Sequence, residues 1–296
     1  MTTPTFAVSA TPHRDALLTL TDGRHLGVAS WGEHGGRPVV VCHGNPGSRL
    51  ICPDLASTLA AGVQLIAVDR PGIGRSDPKL GFTLRDTADD LADVLRHLDL
   101  DTCTVVGWSS GAHQALALGA VHPALVEHVV LAGSPGPPDD PEVVAQRSET
   151  VGLIIEAVRA GSRNALTEVV ARFQAVVDDP ATILRSTLAD DTDPDRRLMQ
   201  DPEVARFLVA MWTEGVRQGP EGLAEMWAAQ NARDWGWLPE QIDVPVTVWH
   251  GVDDRVCPVG QAERLAARIP GARMRRIEAA GHLVPIEHWA QMLVPA

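Results

Sequence analysis

The chain has 296 residues, a hydrophobic fraction of 45% and a formal net charge of −13. That length supports one large core carrying an insertion, and no run of about 18 uncharged apolar residues offers a bilayer span. The acidic balance excludes a general nucleic-acid surface, because phosphate binding needs clustered Lys and Arg.

Residues 1–10 lack a basic segment followed by an apolar core, so no secretory signal is read and a cytoplasmic location is expected. Cys42, Cys52, Cys103 and Cys257 are scattered without Cys-X-X-Cys spacing, which suggests neither a zinc site nor a disulfide framework. No metal or cofactor is expected, and the expected partner is a small-molecule substrate rather than nucleic acid or membrane. Whether copies of the chain associate into a homo-oligomer is left open. Two compositional absences matter later: there is no Tyr, and Lys79 is the only Lys.

In chain order, residues 17–21 and 25–31, joined by Asp22-Gly23-Arg24, read as an antiparallel hairpin. Residues 38–42, 63–68 and 103–107 are short β-branched runs, each followed by a Gly-rich turn and helical spacing, the rhythm of buried parallel strands. Residues 83–98 form the clearest helix, with Leu84, Ala88, Leu91, Leu95 and Leu98 on one face and Thr83 with Asp86 at its start. Residues 112–121 form an apolar helix, and residues 129–132 another strand. From 134 to 239 the strand signal disappears. Helical patterns replace it at Val144, Val151, Ile154 and Val158, then Leu166, Val169, Val170, Phe173 and Val177, then Val204, Phe207, Leu208 and Met211. Strand character returns at 244–250, followed by a helix with Ala262, Leu265, Ala266 and Ile269, a strand at 273–277 and a last helix after Pro285. The division is therefore a core of residues 1–134 and 240–296 bracketing a helical insertion of residues 135–239, with Pro-Gly-Pro-Pro at 135–138 as the hinge.

The strongest chemical signal is Gly107-Trp108-Ser109-Ser110-Gly111 between a strand and a helix. A Ser on so sharp a turn presents its hydroxyl, and the following helix points free N–H groups at the site. A Ser hydroxyl is a weak nucleophile near neutral pH, so it needs a base, and the base needs a carboxylate to orient it. After the strand ending at His250 comes Gly251-Val252-Asp253-Asp254-Arg255, and after the next strand comes Ala280-Gly281-His282-Leu283. Ser109, then Asp253 or Asp254, then His282 follow one another in the order expected of such a triad.

With these segments, with His43-Gly44-Asn45-Pro46-Gly47-Ser48, and with Asp69-Arg70-Pro71-Gly72-Ile73-Gly74-Arg75-Ser76-Asp77, the chain resembles the α/β-hydrolase superfamily from about residue 17 to 293. The similarity is to its capped serine hydrolases, including esterases and proline iminopeptidases. The resemblance implies an α/β fold with a mostly parallel eight-stranded sheet flanked by helices and a helical cap. It also implies Asp254 rather than Asp253 as the acid, from its spacing to Gly251 and Pro258, and an oxyanion hole from the backbone N–H groups of Asn45 and Ser110. His43 is expected to brace the oxyanion loop and His250 to lie in the core, while His113 and His288 are rivals to His282. Asp69 to Asp77 is read as structural. Trp108, Phe207, Met211, Trp212, Met226 and Trp227 are expected to line an apolar substrate cavity.

The function implied is hydrolysis of an ester or thioester of a small hydrophobic substrate through an acyl-enzyme. His-Gly-Asn-Pro is similar to the loop of haloalkane dehalogenases, but those place Asp where this chain has Ser109. Epoxide hydrolases use an Asp nucleophile and cap tyrosines, both missing here. A proline iminopeptidase would need acidic cap residues such as Glu214, Glu221 or Glu225 to meet a substrate ammonium. Carbon–carbon bond hydrolases share the triad, and a ligand-binding protein on the same fold is the non-enzymatic alternative.

Overall fold

The computed structural model describes residues 11–162, 168–169 and 171–294. The reading of residues 1–10 and the helical positions Leu166 and Val170 lie outside them. In chain order the elements are β1 (Arg14–Thr19), β2 (His25–Gly32), β3 (Arg37–Cys42), α1 (Leu55–Ala60), β4 (Val63–Val68), α2 (Leu84–His97), β5 (Cys103–Trp108), α3 (Gly111–Val121) and β6 (Val126–Ala132). A helical stretch follows: α4 (Pro141–Ala145), α5 (Glu149–Arg159), α6 (Gln174–Asp178), α7 (Ala181–Ala189), α8 (Arg196–Met199), α9 (Pro202–Gly215) and α10 (Glu221–Asn231). The chain then returns to the sheet with β7 (Val246–Gly251), α11 (Val259–Arg268), β8 (Arg273–Ile277) and α12 (Val284–Met292).

The eight strands form one sheet in the order β1-β2-β4-β3-β5-β6-β7-β8. β1 with β2 and β2 with β4 are antiparallel, and all other pairs are parallel. β1 starts earlier than its apolar pattern suggests, because as an edge strand it buries little and Leu17 stays exposed. At the opposite edge β8 carries Arg273, Arg275 and Arg276, charges that discourage pairing with another sheet edge.

Strand period 2 sends alternate residues to opposite faces, and here both faces are covered. Val40, Cys42, Ile66 and Val105 pack with Leu84, Leu91 and Leu95 of α2 and Leu116 of α3. Val39, Val41, Leu65, Val106 and Trp108 pack with Trp289 and Ile286 of α12 and with Phe207, Leu208 and Met211 of α9. The helical stretch thus covers part of the second face. α2 begins as expected: the Thr83 side chain accepts from Asp86 N and the Asp86 carboxylate accepts from Thr83 N, a reciprocal capping box. Helix α1 has no counterpart in the sequence reading, since only Asp54 as N-cap marks it and Thr58 alone is buried along it. Trp289 anchors it through an Nε1–H bond to Thr58 Oγ1 at 2.9 Å.

Between β5 and α3 the backbone passes so close to the end of β3 that side chains have no room. A Cβ on Gly111 would lie 2.0 Å from the Cys42 carbonyl oxygen, and one on Gly107 would lie 2.5 Å from the Gly111 oxygen. Overpacking a core typically costs about 1–3 kcal/mol, and here the obstacle is backbone. Gly111→Ala should therefore lower unfolding stability by at least that range, read as the midpoint shift in urea denaturation against wild type.

Candidate active site

Ser109 sits on that turn with φ of 55°, a left-handed conformation that costs a non-Gly residue about 1–3 kcal/mol. The turn is held by Ser109 N–H to the Ala132 carbonyl at 2.8 Å and by Ala112 N–H to the Ser109 carbonyl at 2.9 Å. Ser110 opens α3 with helical φ/ψ and no side-chain cap, and it lines a cavity together with Ser109. The His43–Gly44–Asn45 loop runs alongside: a Cβ on Gly44 would lie 3.2 Å from Ser109 Cβ. Buried Arg70 fixes this loop, donating to the His43 carbonyl and, at 2.8 Å, to the Gly44 carbonyl. His43 Nδ1 bonds the Gly44 oxygen at 2.9 Å, so the ring braces the loop. Burial, with the Arg70 charge beside it, holds its pKa well below 6.5.

The structure separates the two candidate carboxylates. Asp253 is exposed, whereas Asp254 is buried. Asp254 Oδ1 accepts from Val256 N and Cys257 N, each at 2.8 Å, and Oδ2 lies 2.8 Å from His282 Nδ1 and 3.2 Å from His250 Nε2. Burial opposes its ionisation, but His282, His250 and the backbone donors outweigh that and hold the carboxyl far below the usual range. His282 shows the reciprocal effect: burial resists protonation, and Asp254 overcomes it, so the imidazole pKa lies above 6.5. Space for the ring comes from Gly133, where a Cβ would lie 3.0 Å from His282 Nδ1. His113 is no rival base, because burial pulls its pKa down to about 4. His288 falls on α12, stacked on Trp249.

Asp195, at the start of α8, escaped the sequence reading. Its carboxylate accepts from His282 N at 2.7 Å and Leu283 N at 3.0 Å, and burial raises its pKa. Trp108 Nε1 adds a bond to the His282 carbonyl at 3.0 Å. The His282 loop is thus held from the sheet and from the helical stretch together. Nothing in the polar sequence around Asp195 distinguishes it from a solvated loop acid.

A cavity of about 170 Å³ opens over Ser109 and His282, walled by Trp108, Met211 and Trp212 and by Ile183, Met199 and Leu283, three residues not expected to line it. Trp227 lines a second cavity that also reaches Ser109. Phe207 and Met226 correct the expectation: neither lines either of these cavities. Both are fully buried, Phe207 against the sheet face covered by α9 and Met226 in the other core, because helical periodicity marks a buried face without saying whether it meets a cavity or a packed neighbour. Among the described residues no group of three or more His, Cys, Asp or Glu side chains could hold a metal ion, and no helix is long and apolar enough to cross a membrane.

An eight-stranded, mostly parallel sheet with Ser, Asp and His on the loops that follow β5, β7 and β8 defines an α/β hydrolase. The family model for the alpha/beta hydrolase fold matches residues 37–288, and the chain belongs to that family. It is 30% identical over 271 residues to the non-heme chloroperoxidase CPO-A1 of Kitasatospora aureofaciens, covering 90% of this chain and 91% of that protein. It is also 30% identical over 266 residues to a 2-hydroxy-6-oxononadienedioate/2-hydroxy-6-oxononatrienedioate hydrolase of Cupriavidus pinatubonensis, covering 86% and 83%. A pimeloyl-[acyl-carrier protein] methyl ester esterase of Aromatoleum aromaticum is 30% identical over 251 residues, covering 84% and 92%. These names describe different reactions, so family membership leaves the reaction open.

Because Asp254 is what lifts the His282 pKa, Asp254→Asn should move the imidazole titration to lower pH, whereas Asp253→Asn should leave it in place. NMR titration of the His282 ring in the two variants measures this directly.

Proposed function

We propose that this protein is a serine hydrolase that cleaves an ester or thioester bond of a small substrate through an acyl-enzyme on Ser109. The observation that carries the reading is the combination at one cavity: a left-handed Ser109 on the strand-to-helix turn, His282 lining the same space, and a buried Asp254 bonded to its Nδ1. With Nδ1–H donated to Asp254, Nε2 is the ring nitrogen left to take the Ser109 proton as Oγ attacks the substrate carbonyl. The tetrahedral oxyanion would be met by the backbone N–H groups of Asn45 and Ser110, each such donor being worth roughly 10²- to 10³-fold in rate. The imidazolium then protonates the leaving alcohol, and water, activated by the same ring, releases the acid and restores Ser109.

The relative named as a methyl ester esterase supports this reading. The iminopeptidase alternative is disfavoured by the acidic residues it would need. Glu214 is paired with Arg49 and Arg217, Glu225 with Arg233, and neither they nor exposed Glu221 line the cavities at Ser109.

Incubation with a fluorophosphonate and with nitrophenyl esters of increasing acyl length tests the proposal. Label on Ser109 with nitrophenol release is expected, and both should vanish in Ser109→Ala. An unlabelled Ser109 would point to a ligand-binding protein, and label without ester turnover would favour carbon–carbon bond cleavage. The pH profile of kcat/KM supplies a further check. Protonated His282 cannot accept the Ser109 proton, and its pKa is raised, so activity should fall as pH drops, with a midpoint above 6.5. A midpoint well below that value would remove His282 as the base.

A further inference from the structure

Two cavities meet at Ser109, sharing Asn45 and Val256 as walls, and they differ in charge. The first, which His282 lines, has its charged groups already engaged. Asp195 holds the His282 and Leu283 N–H groups, Asp193 accepts from Asp195 N at 2.8 Å, and Arg255 is bonded to Asp190 and Thr192. What it leaves open is the apolar wall of Ile183, Met199, Met211 and Trp212.

The second cavity, of about 220 Å³, reaches Ser109 and Ser110 but not His282. Among the described residues its lining contains no Asp or Glu, and Arg147 is its one Arg or Lys. Arg147 donates to the Pro138 carbonyl, while its Nε–H is buried with no hydrogen-bond partner among the described residues. No carboxylate pairs with it among those residues, and burial together with the charge of Arg159 lowers its pKa, so the guanidinium stands in a positive, unneutralised field. Most neighbouring polar groups satisfy one another: Gln230 bonds Ser110 O and His113, and Gln261 bonds Gly136 N and Gln146. At the junction with Ser109, however, Asn45 Oδ1 and Ser110 Oγ are buried without partners among the described residues. Buried polar groups left open at a cavity can be completed by a ligand or by ordered water, and here they border the space that Arg147 lines.

The position of His282 orients that ligand. The ring must hand its proton to the leaving group, so the leaving group occupies the cavity His282 lines, and the acyl part extends into the other. We propose that the acyl part of the substrate bears a carboxylate, bound by Arg147 in the second cavity, and that an uncharged alcohol leaves through the apolar one. This rests on the ester reading above, and the products would be a dicarboxylate and an alcohol.

Calorimetry on Ser109→Ala, which cannot acylate, separates the two claims. Monomethyl adipate should bind at least about tenfold more tightly than dimethyl adipate, since a charge-assisted hydrogen bond from Arg to a carboxylate is stronger than one to a neutral ester. Adding Arg147→Gln should level the two, and Arg147→Glu should turn the preference toward methyl 6-aminohexanoate, whose ammonium matches the new charge. Equal affinity for the first pair, or a preference that survives Arg147→Gln in a folded protein, overturns the anion site. With Ser109 intact, monomethyl adipate should be cleaved faster than 6-acetoxyhexanoate, which carries its carboxylate on the alcohol; the reverse order overturns the orientation. Tight binding of the anion with no ester turned over would sink the ester reading while upholding the site at Arg147.

Discussion

The close passage of the Gly107–Gly111 turn beneath the end of β3 constrains everything around the site. With a Cβ on Gly111 only 2.0 Å from the Cys42 oxygen, α3 can lie against the sheet only if that position is bare. This packing forces the chain to reverse within two residues after Trp108, and Ser109 absorbs the reversal at positive φ. The same contact brings the start of α3 beside the His43–Gly44–Asn45 loop, so the Ser109 hydroxyl, the helix terminus and the loop lie together without any of them being separately placed. A strain of about 1–3 kcal/mol at one residue is small against the apolar burial of β5 and α3 on both sides of it, which is why the fold can hold it.

The charge arrangement follows from burial. Asp254 is inaccessible, yet remains ionised because two backbone N–H groups and the rings of His282 and His250 face its two oxygens. An ionised, buried carboxylate then fixes the tautomer of His282 by requiring a proton on Nδ1. Its neighbour Asp253 lies one residue away in sequence and faces solvent, so it can do neither. Adjacent residues on one loop thus differ completely in chemistry because only one side chain turns inward.

Where the sequence was readable, a local rule was at work. Strands buried on both faces announce themselves as β-branched runs, the capping box at Thr83 and Asp86 as a short motif, and the Ser109 turn as glycines at fixed offsets. Where it was not readable, the deciding contact was long-range. Phe207 and Trp212 both lie on the buried face of α9, and only the packing of α9 on the sheet sends one into the core and the other to the cavity wall. Arg147 reads as one more surface arginine until the cavity it lines, without Asp or Glu among the described residues, is known. Helix α1 buries a single side chain and so leaves no periodicity to detect.

Asp195 shows what the helical stretch contributes beyond a cover. It lies in the stretch, but its carboxylate receives the N–H groups of His282 and Leu283 from the loop after β8. Gln230 of α10 reaches the Ser110 carbonyl at 2.8 Å, and Glu214 of α9 meets Arg49, which also binds buried Asp69. If the helices moved away, the N–H groups of His282 and Leu283 would lose their Asp195 acceptor, at a cost of about 1–3 kcal/mol apiece, whereas Arg49 would keep Asp15 and Asp69. The helices are therefore coupled to the geometry of the reacting groups themselves: a shift that opened the cavity would also loosen His282 and the turn at Ser109.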